Sequence, residues 1–206
     1  MSVLGKRSRD DPRRAATERA FHEATMSLLE EGLSFADLNV SRIAERAGRT
    51  RTAFYAHFED RRELLLALLE QVGDDVVDAL APFLAIEGPV DLDAITSATR
   101  AALATFRENA TLVRALIEAA GYDDEVARYW AGIVDRIVDG AQPRLQAEGL
   151  GAAEARAMAT ALTWMSERLC YQQAVRGATG LDDEAVVQAI SQLWWRTVRT
   201  IRDDAR

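Results

Sequence analysis

The stretch VSRIAERAGRTRTAFYAHFEDRRELL, residues 40–65, decides the fold of this chain. It predicts a short helix, a glycine turn, a second short helix and the capped start of a third helix, which is a helix-turn-helix arrangement. Ile43 and Ala47 lie four positions apart and therefore share one face of the first helix. Gly48 can adopt the left-handed conformation that ends this helix, and Thr50 is suited to cap the next one.

The second short helix has an apolar side and a polar side. Ala53, Phe54 and Phe58 supply an apolar stripe, at spacings of one and four residues. In a helix-turn-helix the second helix enters the major groove of DNA, so the polar side predicts a DNA contact surface. The alternative is a solvated face beside an ordinary core. The polar side carries groups able to contact phosphates or base edges: Arg51, Thr52, Tyr55 and His57.

In Phe54-Tyr55-Ala56-His57-Phe58 and the residues around it, the segment resembles the DNA-binding domain of TetR-family transcriptional repressors. This resemblance implies that Tyr55 and His57 touch the DNA backbone. It implies that Thr50 caps the helix and also reaches a phosphate, and that Arg61 binds phosphate at the start of the third helix. Arg51 and Thr52 match positions that read base edges.

Further basic residues extend the expected DNA surface. Arg42 contacts either backbone or base, and Arg49 occupies a turn position that is usually apolar in this family. Arg49 either reaches a phosphate or projects into solvent. The basic residues near the N-terminus either reach the flanking DNA or form a solubilising tail; they are Lys6, Arg7, Arg9, Arg13 and Arg14.

Charge is distributed unevenly along the 206 residues. Residues 1–62 hold 12 Lys and Arg against 10 Asp and Glu, although the whole chain carries a net charge of −8. The basic excess therefore coincides with the helix-turn-helix, as phosphate neutralisation requires. The sequence has one cysteine and contains neither an apolar run of about 18 residues nor the hydrophobic core of a signal peptide. These features predict a cytoplasmic protein without a membrane span.

Alanine and leucine dominate, and no run of alternating β-branched residues predicts a strand. We therefore expect an all-α protein of about nine helices, with a small N-terminal lobe and a larger C-terminal lobe. The predicted domains are a flexible basic tail at 1–10, the helix-turn-helix domain at 11–59, and a ligand-binding and dimerisation domain at 60–206. After the third helix of the motif a break is expected at 87–89, and helices are expected at about 92–107, 110–119, 152–175 and 182–201. A further helix is expected to begin near Asp123 and to bend around Gly140 and Pro143, before a turn at 149–151.

The C-terminal lobe carries a second resemblance. The segment ATALTWMSER, residues 159–168, looks like the corresponding helix of the ethionamide-resistance-regulator branch of the family. Ser166 stands where that branch has an asparagine. The resemblance implies two tasks for the large lobe, which are ligand binding and dimerisation.

The ligand expected from these residues is an elongated hydrophobic molecule with one polar head, such as an acyl, ketone or drug-like compound. Thr163, Glu167 and Tyr171 share one helix face, where a buried carboxylate needs a partner. Glu167 could instead pair with an arginine or lie in the dimer interface, and the aromatic residues could be ordinary core. The predicted ligand-binding residues are Ile95, Phe106, Leu116, Trp130, Val134, Ile137, Thr163, Trp164, Glu167, Tyr171 and Trp194, with Phe83 beside them.

The last two helices are expected to pair with their symmetry mates in a homodimer, because the final helix is apolar over a wide arc. A dimer suits a palindromic operator. The expected mechanism is a shift of conformational populations, in which ligand opens the large lobe, the helix beginning at Arg61 swings, and the protein leaves DNA. The apolar residues of the final helix are Val186, Val187, Ile190, Leu193, Trp194, Trp195, Val198 and Ile201.

Catalysis is not expected from this sequence. His22 and His57 are its only histidines, Cys170 has no histidine near it in sequence, and no phosphate loop is present. We therefore expect no cofactor and no metal. Two other hypotheses remain: a DNA-binding protein of the same fold that senses no small molecule and acts through dimerisation or a protein partner, and an enzyme or binding protein with a vestigial DNA-reading domain.

Overall fold

The computed structural model describes residues 12–85 and 91–204, and every regular element in these ranges is helical. This confirms the all-α fold. The expected tail at 1–10 and the expected break at 87–89 lie outside the described residues. The elements are α1 (Pro12–Glu30), a 3₁₀ helix (Phe35–Asp37), α2 (Val40–Arg46), α3 (Arg51–Tyr55), α4 (Arg61–Leu84), α5 (Leu92–Glu108), α6 (Ala110–Ala120), α7 (Asp124–Ala147), α8 (Ala152–Ala174) and α9 (Asp183–Asp204).

Packing divides the chain into a first unit that ends at Leu68 and a second that begins at Leu69. A cluster of three aromatic rings forms the core of the first unit. The ring of Phe54 lies 5.3 Å from that of Phe21 and 5.5 Å from that of Phe58. These contacts fix α3, which is only five residues long and too short to be stable alone. Leu28, Leu38, Ile43, Leu64 and Leu65 complete this core.

The turn between α2 and α3 is built as the sequence predicts. Gly48 has a φ of +62°, and its N–H donates to the carbonyl of Glu45. The N–H of Arg49 donates to the carbonyl of Ala44 at 2.9 Å, which completes a Schellman-type helix end. The Thr50 hydroxyl then accepts a hydrogen bond from the Ala53 N–H at 3.0 Å, which caps α3.

The second unit contains most of α4 together with α5 to α9. Its helices α4 and α7 approach so closely that a Cβ atom added at Gly140 would lie 2.9 Å from Cδ1 of Leu84. The carboxylates of Asp91 and Asp123 cap α5 and α7. Within the described ranges, no helix is long and apolar enough to cross a membrane.

Candidate functional site

The outward face of α3 carries the polar groups expected to meet DNA. Arg51 and Thr52 are exposed, and 52% of Tyr55 is accessible to solvent. Arg42 and Arg49 are also exposed on α2 and the turn. The aromatic core holds α3 by its Phe54 side, so these polar side chains stay available for an external partner.

Some of these residues meet in one depression on the surface of the first unit. Arg51, Tyr55 and Arg61 line it, together with the 39–41 segment where α2 begins. Asp60 also lines it, but its carboxylate accepts the Glu63 N–H and so caps α4. The other predicted DNA-binding residues do not line this depression; they are Arg42, Arg49, Thr50, Thr52 and His57.

Arg61 has a structural task that the sequence did not predict. Its Nη1 group donates to the carbonyls of Phe35 at 2.7 Å, Ala36 at 2.8 Å and Leu38 at 2.5 Å. Its guanidinium also lies over the Phe35 ring, 5.2 Å from the centroid. The side chain therefore fastens the 3₁₀ helix and the residue that follows it to the start of α4.

The expectation that His57 lies on the second helix of the motif is corrected by the structure. The helix α3 ends at Tyr55, and the N–H groups of His57 and Phe58 both donate to the Phe54 carbonyl at 2.9 Å. This turn directs His57 inward, where only 12% of its side chain is exposed and Nδ1 lies 3.1 Å from Oε1 of Glu18. His57 therefore contacts α1, and its role toward DNA stays a prediction.

Arg46 is a residue of this unit whose contacts the sequence did not indicate. It pairs in bidentate fashion with Glu31, at 2.6 and 2.8 Å, and its Nη1 also donates to the Ser27 hydroxyl at 2.6 Å. The hydrogen bonds from Arg46 hold the pKa of Glu31 below its ordinary value. The pair fastens α2 to α1, but both groups are solvated, so its contribution to stability is modest.

The second unit encloses a cavity of about 90 Å³. Eight of the eleven predicted ligand-binding residues line it, and so does Phe83. A water molecule needs about 10–15 Å³ of such space, so the cavity has room for a small organic group. The eight residues are Ile95, Phe106, Trp130, Val134, Ile137, Thr163, Glu167 and Trp194.

Three predicted ligand-binding residues do not line the cavity. Leu116 is fully buried in the core of the second unit, and Trp164 is 37% exposed on the outside of α8. Tyr171 is buried, with the guanidinium of Arg168 5.4 Å from its ring centroid. Trp164 and Thr163 are adjacent on a helix and so point in different directions, which explains why only Thr163 reaches the cavity.

Small side chains also line the cavity and were missed from the sequence. Ala98 and Ala102 lie on the same face of α5 as Ile95 and Phe106, at helical spacing. That periodicity is a signal that could have found them. The remaining missed residues are Val76, Leu80, Leu84, Thr99, Ala141, Ser166, Cys170 and Ile190.

Four buried polar atoms in the cavity wall have no hydrogen-bond partner within the described chain: Trp130 Nε1, Thr163 Oγ1 and both carboxyl oxygens of Glu167. Burial raises the pKa of Glu167, while the charge of Arg168 and the nearby indole N–H of Trp130, which does not reach hydrogen-bond geometry, act in the opposite direction. Arg168 Nε lies 3.8 Å from the carboxyl, beyond hydrogen-bond distance. Leaving such groups unpaired is costly, so the site is suited to a ligand that supplies partners.

Cys170 lines the same cavity without being a nucleophile. Burial, together with the nearby Glu167 carboxyl, raises the pKa of its thiol to about 12. A thiol with that pKa is protonated at neutral pH and therefore unreactive. Its place in the wall is that of a small apolar group.

Both halves of the chain match families of known proteins. The family model described as bacterial regulatory proteins of the tetR family matches residues 22–68. The model described as the C-terminal domain of the transcriptional regulator EthR matches residues 95–200. The exposed α3 and the matched residues define a DNA-binding transcriptional regulator of the helix-turn-helix class. The chain belongs to the TetR family of bacterial regulatory proteins and carries an EthR-type C-terminal domain.

Relatives support this assignment over most of the chain. The HTH-type transcriptional regulator EthR of Mycobacterium tuberculosis is 27% identical over 179 residues, which cover 83% of this chain and 82% of that protein. A transcriptional regulator of Pseudomonas aeruginosa PAO1 has a similar structure, with a TM-score of 0.71, 17% identity and coverage of 96% and 97%. A TetR-like regulator of Rhodococcus sp. RHA1 has a TM-score of 0.67, 18% identity and coverage of 89% and 96%. The relatives are regulators rather than enzymes, which confirms the predicted class.

Proposed function

We propose that this regulator is a cytoplasmic repressor that binds a palindromic operator as a homodimer and leaves it when a hydrophobic small molecule fills the cavity. The proposed domains are residues 11–59 for DNA binding and 60–206 for ligand binding and dimerisation. The observation that carries the ligand response is the set of unpartnered polar atoms in an otherwise apolar cavity. Such a combination fixes the orientation of a bound small molecule.

The proposed DNA-reading residues are Arg51 and Thr52, which are exposed near the start of α3. Residues there reach base edges when a recognition helix enters the major groove, and an arginine can grip a guanine through O6 and N7. Tyr55, Arg42 and Arg49 supply exposed groups for the phosphates. Thr50 and Arg61 hydrogen-bond the local backbone and His57 contacts the Glu18 side chain, so any phosphate contact that they make comes in addition to these contacts.

Dimerisation is proposed through the exposed faces of α8 and α9. Trp164 on α8 and Leu193 on α9 are large apolar residues that remain 37% and 47% exposed. Small exposed residues accompany them, and these would let a second pair of helices approach closely. They are Ala157 and Ala161 on α8 and Ala185 and Ala189 on α9.

Signal transfer is proposed to run along α4, because this one helix contributes to both functions. Leu64 and Leu65 at its start belong to the core of the DNA-binding unit. Phe83 and Leu84 at its end line the ligand cavity. A ligand that displaces the end of α4 would change the population of DNA-competent conformers.

A labelled DNA fragment from around the protein's own gene tests this function by fluorescence anisotropy. The wild type should bind tightly and lose affinity steeply with salt, while scrambled DNA binds weakly. A compound that binds the cavity should release the operator. If no cavity ligand releases the operator, the result supports the alternative, a DNA-binding protein of the same fold that does not respond to a small molecule.

A further inference from the structure

The cavity wall has a charge pattern that selects among hydrophobic ligands. Among its described lining residues, Glu167 alone carries a carboxyl group, and no lysine, arginine or histidine lines the space. The Glu167 side chain is only 5% exposed, and neither of its carboxyl oxygens accepts a hydrogen bond from the residues that the structure describes. The carboxylate of an acidic ligand would therefore be repelled by the Glu167 carboxylate, because no basic side chain in the wall balances the two negative charges.

Aromatic rings surround the same space. Phe106 and Trp130 pack edge to face with centroids 6.1 Å apart, and Phe83 and Trp194 do so at 6.4 Å. All four residues line the cavity. Aromatic rings attract organic cations through their negative faces, most strongly where water is excluded.

We propose that the cavity prefers a lipophilic organic cation, an amine with an apolar tail, whose ammonium group meets the Glu167 carboxylate. This inference rests on the proposed function and specifies its ligand class. An ammonium group supplies the positive charge that the buried carboxylate needs beside it. Its N–H groups also supply donors for a carboxyl oxygen and for Thr163 Oγ1. The Trp130 N–H then remains to donate to the other carboxyl oxygen.

Arg168 does not already fulfil this role. Its Nε atom stays 3.8 Å from the Glu167 carboxyl, and its side chain is 52% exposed. It does not line the cavity and instead stacks on Tyr171. The carboxyl oxygens therefore still lack a hydrogen-bond donor from residues 12–85 and 91–204.

Three probes of equal chain length test the preference with the full-length protein: hexylamine, hexan-1-ol and hexanoate. Binding is followed at neutral pH by the fluorescence of the tryptophans and by calorimetry. Hexylammonium should bind about tenfold or more tightly than hexanol, and hexanoate should bind most weakly. Glu167→Gln should abolish the preference, whereas Glu154→Gln, which alters an exposed acid on the same helix, should preserve it.

Each outcome separates this inference from the proposed function. Equal or tighter binding of hexanol or hexanoate overturns the cation preference, and release of operator DNA by either would still support ligand-controlled repression. Amine binding that depends on Glu167 but leaves DNA bound supports the cation preference and overturns ligand-controlled release. Absence of binding by all three probes overturns the cation preference.

Discussion

The indole N–H of Trp194 on α9 donates to the hydroxyl of Ser166 on α8 at 3.0 Å. Ser166 in turn donates to the carbonyl of Leu162 at 2.8 Å, so both of its hydrogen-bonding functions are occupied. Ser166, which stands where the ethionamide-resistance-regulator branch has an asparagine, therefore links α8 to α9. The polar contact of a ligand is left to Glu167, Thr163 and Trp130.

Arg51→Ala should reduce operator affinity without changing the thermal stability of the protein. The side chain is exposed and faces away from the aromatic core, and losing one bidentate base contact costs about 1–3 kcal/mol. Anisotropy with operator DNA measures the affinity, and a melting curve checks the fold. Arg176→Ala, an exposed arginine in the second unit, is the matched control. Equal affinity of both variants would show that α3 does not read this DNA.

Arg61 should behave as a structural residue. Arg61→Ala removes the donor to the carbonyls of Phe35, Ala36 and Leu38, and a charged hydrogen bond is worth about 1.5–3 kcal/mol. The melting temperature should fall. Arg61→Lys should also lower it, because an ammonium group on a flexible stem does not reproduce the guanidinium geometry. A lysine variant with wild-type stability and DNA affinity would indicate that Arg61 serves only as a charge for phosphate.

Glu167 should make stability depend on pH. Burial raises its pKa above the ordinary value of 4.5 despite the opposing effect of Arg168, so the folded state holds this proton more strongly than the unfolded state. Its contribution to stability is therefore lost as pH rises from about 4.5 through the raised pKa. Because the Glu167→Gln variant has no carboxyl group at this position, its melting temperature should rise relative to that of the wild type as pH increases above about 4.5. A constant difference between the two melting temperatures would contradict this.

Leu193→Asp should convert the proposed dimer into a monomer. The change places a charge on the exposed face of α9, where the proposed interface needs apolar contact. Leu181→Asp is the matched control, because Leu181 is 55% exposed but precedes α9. Light scattering after size-exclusion chromatography gives the mass of each. A dimer that survives Leu193→Asp would place the interface elsewhere.

The sequence predicted the helices and the turn between α2 and α3 well because both depend on local signals. Helical periodicity, the Gly48 turn and the Thr50 cap are properties of neighbouring residues. The contacts of Arg46 and Arg61 could not be predicted, since their partners lie 15 to 26 residues away in sequence. The cavity was predicted in large part from bulky residues, but Trp164 was assigned to the wrong side of α8 because residue type alone does not give its direction.

Fluorescence anisotropy of the purified protein with DNA from around its own gene, measured over a salt series, tests whether α3 reads DNA. We expect saturable binding that exceeds binding to scrambled DNA, weakens steeply with salt and falls in Arg51→Ala. Absence of even nonspecific binding at low salt, by a protein that melts cooperatively, would contradict the assignment of α3 as the DNA-reading helix.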